Sequence, residues 1–299
     1  MQTIQDLAAA MGRHASTDGR HPTALPGVAL LRSSAPSMPI HTIYRPTLCV
    51  VAQGRKRVML GQTAFVYDPA MFLVCAVDLP VIGAVIEASA EAPYLCLALD
   101  LDLVALGELA LGHPVPQPNE ASVGLALSPA TPGLIDAATR LVQLLDAPSD
   151  AAVLAPLVER EILWRLMTGE QGGMIRRIAS AESRLAQVGR AIGWLKDHFA
   201  DRFAIEDVAG ISGMSASAFY EHFKAATAMT PLQYRNQLRL QEARRLMVVE
   251  SLDAAAAGFQ VGYDSPSQFS RDYTKLFGAP PARDAALLRG SAEFALVAA

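Results

Sequence analysis

Between residues 28 and 100 the apolar positions fall into short runs, at 28–32, 47–52, 55–60, 63–67, 71–76, 81–87 and 94–100, with turn residues between them. Gly54 and Gly61 break the second, third and fourth runs into a tight meander, and Asp68-Pro69 and Leu79-Pro80 punctuate the later ones. Seven short strands at a spacing of roughly 8–12 residues predict a β-sandwich or barrel, and a small barrel is the form expected here.

Past the proline-rich bend at 113–118 the apolar period changes from two to about 3.6. Leu134, Ala138, Leu141 and Leu145 make one helical stripe behind Pro132. Leu154, Val158, Ile162 and Leu166 make a second at four-residue steps, closed by the glycines at 169, 172 and 173. Val153, Leu157 and Trp164 widen the second stripe. Two readings fit it: a helix that covers the barrel, or one that also pairs with its copy in a dimer.

From residue 182 the chain reads as helices joined by short turns, and here it repeats. GMSASAFYEHFKAATAMTP from Gly213 and GYDSPSQFSRDYTKLFGAPP from Gly262 are two copies of one unit, with Phe219, Phe223, Ala228 and Pro231 answering to Phe269, Tyr273, Gly278 and Pro281 at an offset of 50 residues. Ahead of each turn a small residue, Ala209 or Gly258, lets a short helix approach a longer one, and Ser215 or Ser265 caps the longer one. Each copy is a helix-turn-helix. With the aromatic pairs facing inward, Tyr220, Glu221 and Lys224 in the first unit and Ser267, Gln268, Arg271 and Lys275 in the second face solvent or DNA. Residues 232–249 predict a connecting helix of about 16 residues and roughly 24 Å, which suits two reading helices in successive major grooves about 34 Å apart. Lys224, Lys275, Arg244 and Arg245 are expected at the surface, as solvated or phosphate-positioning charges.

Composition narrows the picture. A chain of 299 residues, 52% hydrophobic and 18% charged, has material for two cored domains and is not disordered. The net charge of −4 speaks against a nucleic-acid binder only if taken whole: residues 1–173 carry 10 basic and 16 acidic side chains, residues 174–299 carry 15 and 13. We therefore divide the chain into 1–173, with the strand runs and helical stripes, and 174–299, with the repeated helix-turn-helix units and the charge balance that leaves DNA binding open. There is no apolar run of membrane-spanning length, and the first residues lack the apolar core of a secretory signal, so a cytoplasmic protein is expected, with no membrane partner.

Three cysteines without CxxC spacing argue against disulfides and a zinc ribbon. Of six histidines only His41 lies among the strands, so no metal site is expected. No catalytic triad or phosphate-cradling glycine loop is present, so neither enzymatic activity nor a cofactor is expected. A cupin-type metalloenzyme fused to a helical domain is the rival reading, and an architectural DNA binder a third. Cys49, in TLCVVAQGRKR, has two readings of its own: a buried apolar thiol, or an effector-binding thiol whose pKa is lowered by Arg55, Lys56 and Arg57 across a short turn.

The repeated units and the helix PLQYRNQLRLQEARRLM between them resemble the C-terminal signature of the AraC/XylS family of bacterial transcription regulators. RPTLCVVAQGRKRVMLG and EAPYLCLALDLD resemble the N-terminal domain of one AraC-type subgroup. The resemblance implies an α+β protein: a cupin-like β-barrel that senses a small-molecule effector, dimerisation helices, and an all-α double helix-turn-helix. It implies a homodimer on a double-stranded DNA operator, with RNA polymerase a further candidate partner and a reactive aldehyde or other electrophile a candidate effector. By position, base-reading sites fall on Ser217, Tyr220 and Glu221, and on Ser267, Gln268 and Arg271. Glu221 departs from the basic residue frequent in relatives, so a cytosine amino group replaces guanine as its fitting partner. Ala228 departs from the glycine kept at Gly278, a strain if the turn needs positive φ.

Overall fold

The computed structural model describes residues 2–112, 123–180 and 183–289; the bend at 113–118 lies outside them. Helix α1 (Ile4–His14) opens with a capping box between Thr3 and Asp6 and buries Leu7 and Met11. Ten strands follow among the described residues: β1 (Gly19–Pro22), β2 (Val28–Ser33), β3 (Ile40–Tyr44), β4 (Thr47–Gln53), β5 (Arg55–Leu60), β6 (Thr63–Tyr67), β7 (Met71–Cys75), β8 (Leu79–Glu87), β9 (Tyr94–Asp100) and, after helix α2 (Leu103–Gly112), β10 (Leu125–Pro129). They build two antiparallel sheets, ordered β1-β2-β9-β4-β7-β10 and β3-β8-β5-β6.

Every run expected to be a strand is one, and β5, β6 and β9 have the expected bounds. β1, β3 and β10 were not expected; GRHP, IHTIY and LALSP are too short or too mixed to show a period. Two further expectations are corrected. Leu79-Pro80 is not a break but the start of β8, where Pro80 pairs with Ile43 beyond the end of β5, so its missing N–H leaves no ladder bond unmade. Nor do the second, third and fourth runs form one meander. β5 and β6 pair around Gly61, but β4 belongs to the other sheet. The chain crosses between sheets at Gly54, which has φ +74° and where a Cβ would lie 2.6 Å from the Glu87 carbonyl oxygen.

Helices α3 (Pro132–Gln143), α4 (Pro148–Thr168) and α5 (Gly172–Ala179) follow the barrel. Thr131 caps α3 with Pro132 in its first turn, and Leu134, Ala138 and Leu141 are fully buried. In α4, Val158, Ile162 and Leu166 face inward as expected, while Leu154 is 42%, Leu157 62% and Val153 67% exposed. Trp164 is half-buried against the core.

The remainder is α6 (Arg184–Asp197), α7 (Ile205–Ser212), α8 (Ala216–Thr227), α9 (Pro231–Val249), α10 (Ala254–Gln260), α11 (Pro266–Phe277) and α12 (Pro281–Leu288). Among the described residues no helix is long and apolar enough to cross a membrane. The apolar core runs from the barrel through α3–α6 into the first helix-turn-helix, as far as Tyr234 and Leu238 of α9. A separate core begins at Leu240 and encloses the second unit. The break in packing therefore falls inside the connecting helix.

Candidate functional site

The two helix-turn-helix units are built alike. The first helix of each is followed by a glycine with positive φ, Gly213 at +71° as the cap of α7 and Gly262 at +87° one residue past the cap of α10. Ser215 and Ser265 then accept hydrogen bonds from the amides of Ala218 and Gln268, capping α8 and α11. Phe219, Phe223, Phe269 and Tyr273 are fully buried, each pair in edge-on ring contact. Gly258 packs so closely on Phe269 that a Cβ there would lie 2.9 Å from its ring, whereas Ala209 is accommodated in the first unit.

This packing turns one face of each second helix outward. Ser215, Ser217, Glu221 and Lys224 are exposed and Tyr220 half-exposed on α8; Ser267, Gln268, Arg271 and Lys275 are exposed on α11, with Ser265 half-buried at its cap. The α9 helix has 19 residues, about 28 Å at 1.5 Å per residue. Ala228 takes φ +58° where the second unit has Gly278 at +78°, so the turn does need positive φ.

The expectation of a surface charge is corrected for Arg244, while Arg245 keeps two fifths of its side chain exposed. Arg244 Nε and Nη2 donate to Asp284 at 2.7 and 2.9 Å, Tyr273 Oη donates to the same carboxylate at 2.7 Å, and the guanidinium lies over the Phe277 ring at 4.3 Å. Only about a tenth of either charged side chain is exposed. Arg244 therefore ties α9 to α11 and α12 from within. Arg245 is engaged by Glu242 and Glu250.

The barrel meets the two units differently. Asp78, ahead of β8, accepts Lys196 of α6 at 2.7 Å on its carboxylate and Tyr234 of α9 at 2.8 Å on its carbonyl, and the Gly124 amide donates to Ala226 of α8. In the second unit, His41 of β3 packs edge-on against Phe277, ring centroids 5.1 Å apart. Burial, reinforced by Arg244, lowers the His41 pKa to about 4.

A cavity of about 190 Å³ lies between the sheets. Strand register explains its lining. Cys49 sits opposite Ala98, and Cys96 two residues along β9 shares their face, opposite Leu31. From the other sheet β5 contributes Lys56 and β3 contributes Tyr44, with Tyr94 of β9 closing one end. Lys56 Nζ stands 5.4 Å from the Tyr44 ring centre and 6.0 Å from that of Tyr94.

The electrostatics differ from the expectation for Cys49. Of the three cations, Lys56 lines the cavity, while Arg55 pairs outside with Asp68 and Glu87 and Arg57 is exposed. The neighbouring Cys96 thiol and burial push the Cys49 thiol well up. Cys49, Tyr94 and Lys56 around it hold the Cys96 thiol below its ordinary range against the cost of burial, and its S–H donates to the Leu97 carbonyl at 3.5 Å. Burial opposes the Lys56 charge, but the Tyr44 phenol and the thiols outweigh it, so it stays an ammonium. No carboxylate among the described residues pairs with it. Burial, with the neighbouring Cys96 thiol, pushes the Tyr94 phenol well up.

Sequence reading missed Cys96, Lys56, Tyr44 and Tyr94 as cavity residues. One signal was available: in β5 Lys56 shares a face with buried Val58 and Leu60, a polar residue at an inward position. Among the described residues no group of three or more His, Cys, Asp or Glu side chains could hold a metal ion.

A family model for the N-terminus of AraC-type transcriptional regulators matches residues 24–174, and one for a helix-turn-helix domain matches 208–285. The chain is 28% identical over 155 residues to the HTH-type transcriptional activator RhaS of Escherichia fergusonii, covering 50% of this chain and 55% of that protein. It is 27% identical over 144 residues to RhaS of Citrobacter koseri, covering 48% and 51%. The chain thus matches about half the length of these relatives. Among solved structures it is similar to apo ToxT from Vibrio cholerae, with a TM-score of 0.56 and 10% identity over 89% of this chain and 100% of that one. It is also similar to ToxT with an unsaturated fatty acid bound, with a TM-score of 0.55 and 11% identity over 88% and 96%.

Proposed function

The chain belongs to the AraC-type family of transcriptional regulators, and on that premise we propose that it reads a DNA operator through α8 and α11 under the control of a small-molecule effector held in the barrel cavity. One observation carries the DNA reading: two capped helices, each anchored by a buried aromatic pair, expose corresponding polar faces and are joined by one continuous helix. Base-edge contacts belong to Ser217, Tyr220 and Glu221, and to Ser267, Gln268 and Arg271. Lys224 and Lys275 serve the phosphates, and the capping serines Ser215 and Ser265 present amides to the backbone.

The effector half of the proposal draws support from a cavity between the sheets lined by an ammonium, two phenols and two thiols, and from the fatty acid bound by the similarly folded ToxT. A dimer belongs to the same reading. Val153, Leu154 and Leu157 stand together on the outer face of α4, where a second copy would cover them. Leu157→Lys is then expected to shift the sedimenting species from dimer to monomer.

The test is DNA selected by the full chain from a random duplex pool. Arg271→Ala and Gln268→Ala should each relax preference at particular base positions, by about 1–3 kcal/mol, whereas Lys275→Ala should weaken all sequences alike and flatten the salt dependence. A pool that yields no enriched sequence would refute the reading.

A further inference from the structure

We propose that Arg239 is a positioning residue for DNA recognition: it locks the two helix-turn-helix units to one another and so sets the spacing of the two sites that α8 and α11 read. This rests on the reading that both helices contact DNA, and adds which residue fixes the distance between their sites.

The lock stands where the packing breaks. On α9, Leu238 belongs to the core shared with the first unit and Leu240 to the core of the second. Arg239 lies between them and reaches to the turn that leads from α6 into α7. Its Nε donates to the Phe199 carbonyl at 2.6 Å, and its Nη2 to the carbonyls of Ala200 at 3.0 Å and Asp201 at 3.4 Å. A planar guanidinium holds several acceptors in one fixed fork, which an ammonium on a flexible stem does not. Phe199, the first of those acceptors, packs its ring against both cores.

The second unit closes on the same turn. At Gly262 a Cβ would lie 2.3 Å from the Ala200 carbonyl oxygen and 2.9 Å from Arg239 Nη2, whereas at Gly213, its counterpart in the first unit, a Cβ would meet only the Gln187 side chain at 3.8 Å. Beside Gly262, the Tyr263 ring centre lies 5.9 Å from the Arg239 guanidinium, and its hydroxyl donates to Asn236 of α9 at 2.6 Å. Arg239 thus joins the entry to the first unit, the connecting helix and the turn of the second. Arg202 and Asp264 span the same gap at 2.9 Å, but both side chains are more than four-fifths exposed, so that pair contributes little. Without Arg239 each unit keeps its own core and loses the tie that fixes their relative angle. One base pair added between the two sites moves the second by about 3.4 Å and turns it about 34° around the duplex. A locked pair of helices does not follow that displacement, and a loosened pair does.

The experiment takes the sequence that the full-length parent enriches from a random duplex pool and rebuilds it with the spacer between the two sites one base pair shorter and one longer. The parent is expected to lose about tenfold or more in affinity with either change, and Arg239→Met about threefold or less, while base preference within each site stays the same. Arg239→Lys, with one donor group in place of the fork, should fall between them. A second readout needs no DNA: nitroxide labels on Glu206→Cys of α7 and Ala255→Cys of α10, two exposed positions, should give a narrow distance distribution that broadens with Arg239→Met. Circular dichroism shows which variants fold, and Arg239→Lys carries both comparisons if Arg239→Met does not. A folded variant that keeps the parent's spacer dependence, that keeps its narrow distances, or that weakens every spacer equally would overturn the proposal. A parent that enriches no sequence would refute the DNA reading beneath it, whereas a parent that enriches one while the variant keeps its spacer dependence refutes the proposal alone.

Discussion

Replacing Asp284 with Ala should unfold the second helix-turn-helix ahead of the rest of the molecule. The carboxylate accepts two bonds from Arg244 and one from Tyr273, in a site where only about a tenth of each ion is exposed. Removing it leaves a buried guanidinium without its counter-ion, which costs about 3–5 kcal/mol when a buried pair is broken. The Phe277 ring 4.3 Å from that guanidinium offsets part, since a cation over an aromatic face is worth about 0.5–2 kcal/mol. The expected loss is about 3 kcal/mol, a factor of about a hundred in the opening equilibrium. It should fall on one unit because the core around Tyr273 and Phe269 is separate from the core shared by the barrel and the first unit. Hydrogen exchange read by mass should show residues 254–288 losing protection by that factor while 205–227 keep theirs. Pairing Asp284→Leu with Arg244→Met should recover most of the loss, because an apolar pair removes the stranded charge. A change below about 1 kcal/mol, or equal loss in both units, would refute the reasoning.

Two further outcomes follow from backbone and titration. His41 resists protonation until about pH 4, whereas an unfolded imidazole takes its proton near 6.5. Its contribution is therefore complete above about pH 6.5 and lost as pH falls toward 4, up to about 3 kcal/mol. Urea midpoints at pH 7.5, 6 and 5 should fall more for the parent than for His41→Phe, and parallel slopes would contradict this. Ala228→Gly should stabilise by about 0.5–1 kcal/mol, since relief of a left-handed Cβ (about 1–2 kcal/mol) exceeds the added glycine entropy (about 0.5–1). A lower urea midpoint would show that the turn is held by something else.

The chain's own pattern was enough for whatever depends on neighbours within a few residues. The duplicated units were legible because Phe219 with Phe223 and Phe269 with Tyr273 recur one helical turn apart behind a capping serine, and those same residues are fully buried. Strands β5 and β6 kept their expected bounds because a glycine turn and a short apolar run determine a hairpin locally. Partnership across distance was decided only by the tertiary structure. β4 and β5 are adjacent in the chain and lie in different sheets, which places Arg55 and Arg57 away from Cys49 and brings Lys56 and Cys96 to it. Arg244 looks like any surface charge on a polar helix until α12 brings Asp284 beneath it, and His41 looks like a lone strand histidine until Phe277 arrives 236 positions later. Periodicity reports which side of an element is buried, because burial repeats with the backbone. It carries no record of what that side is buried against, because that is set by packing between segments with no local relation.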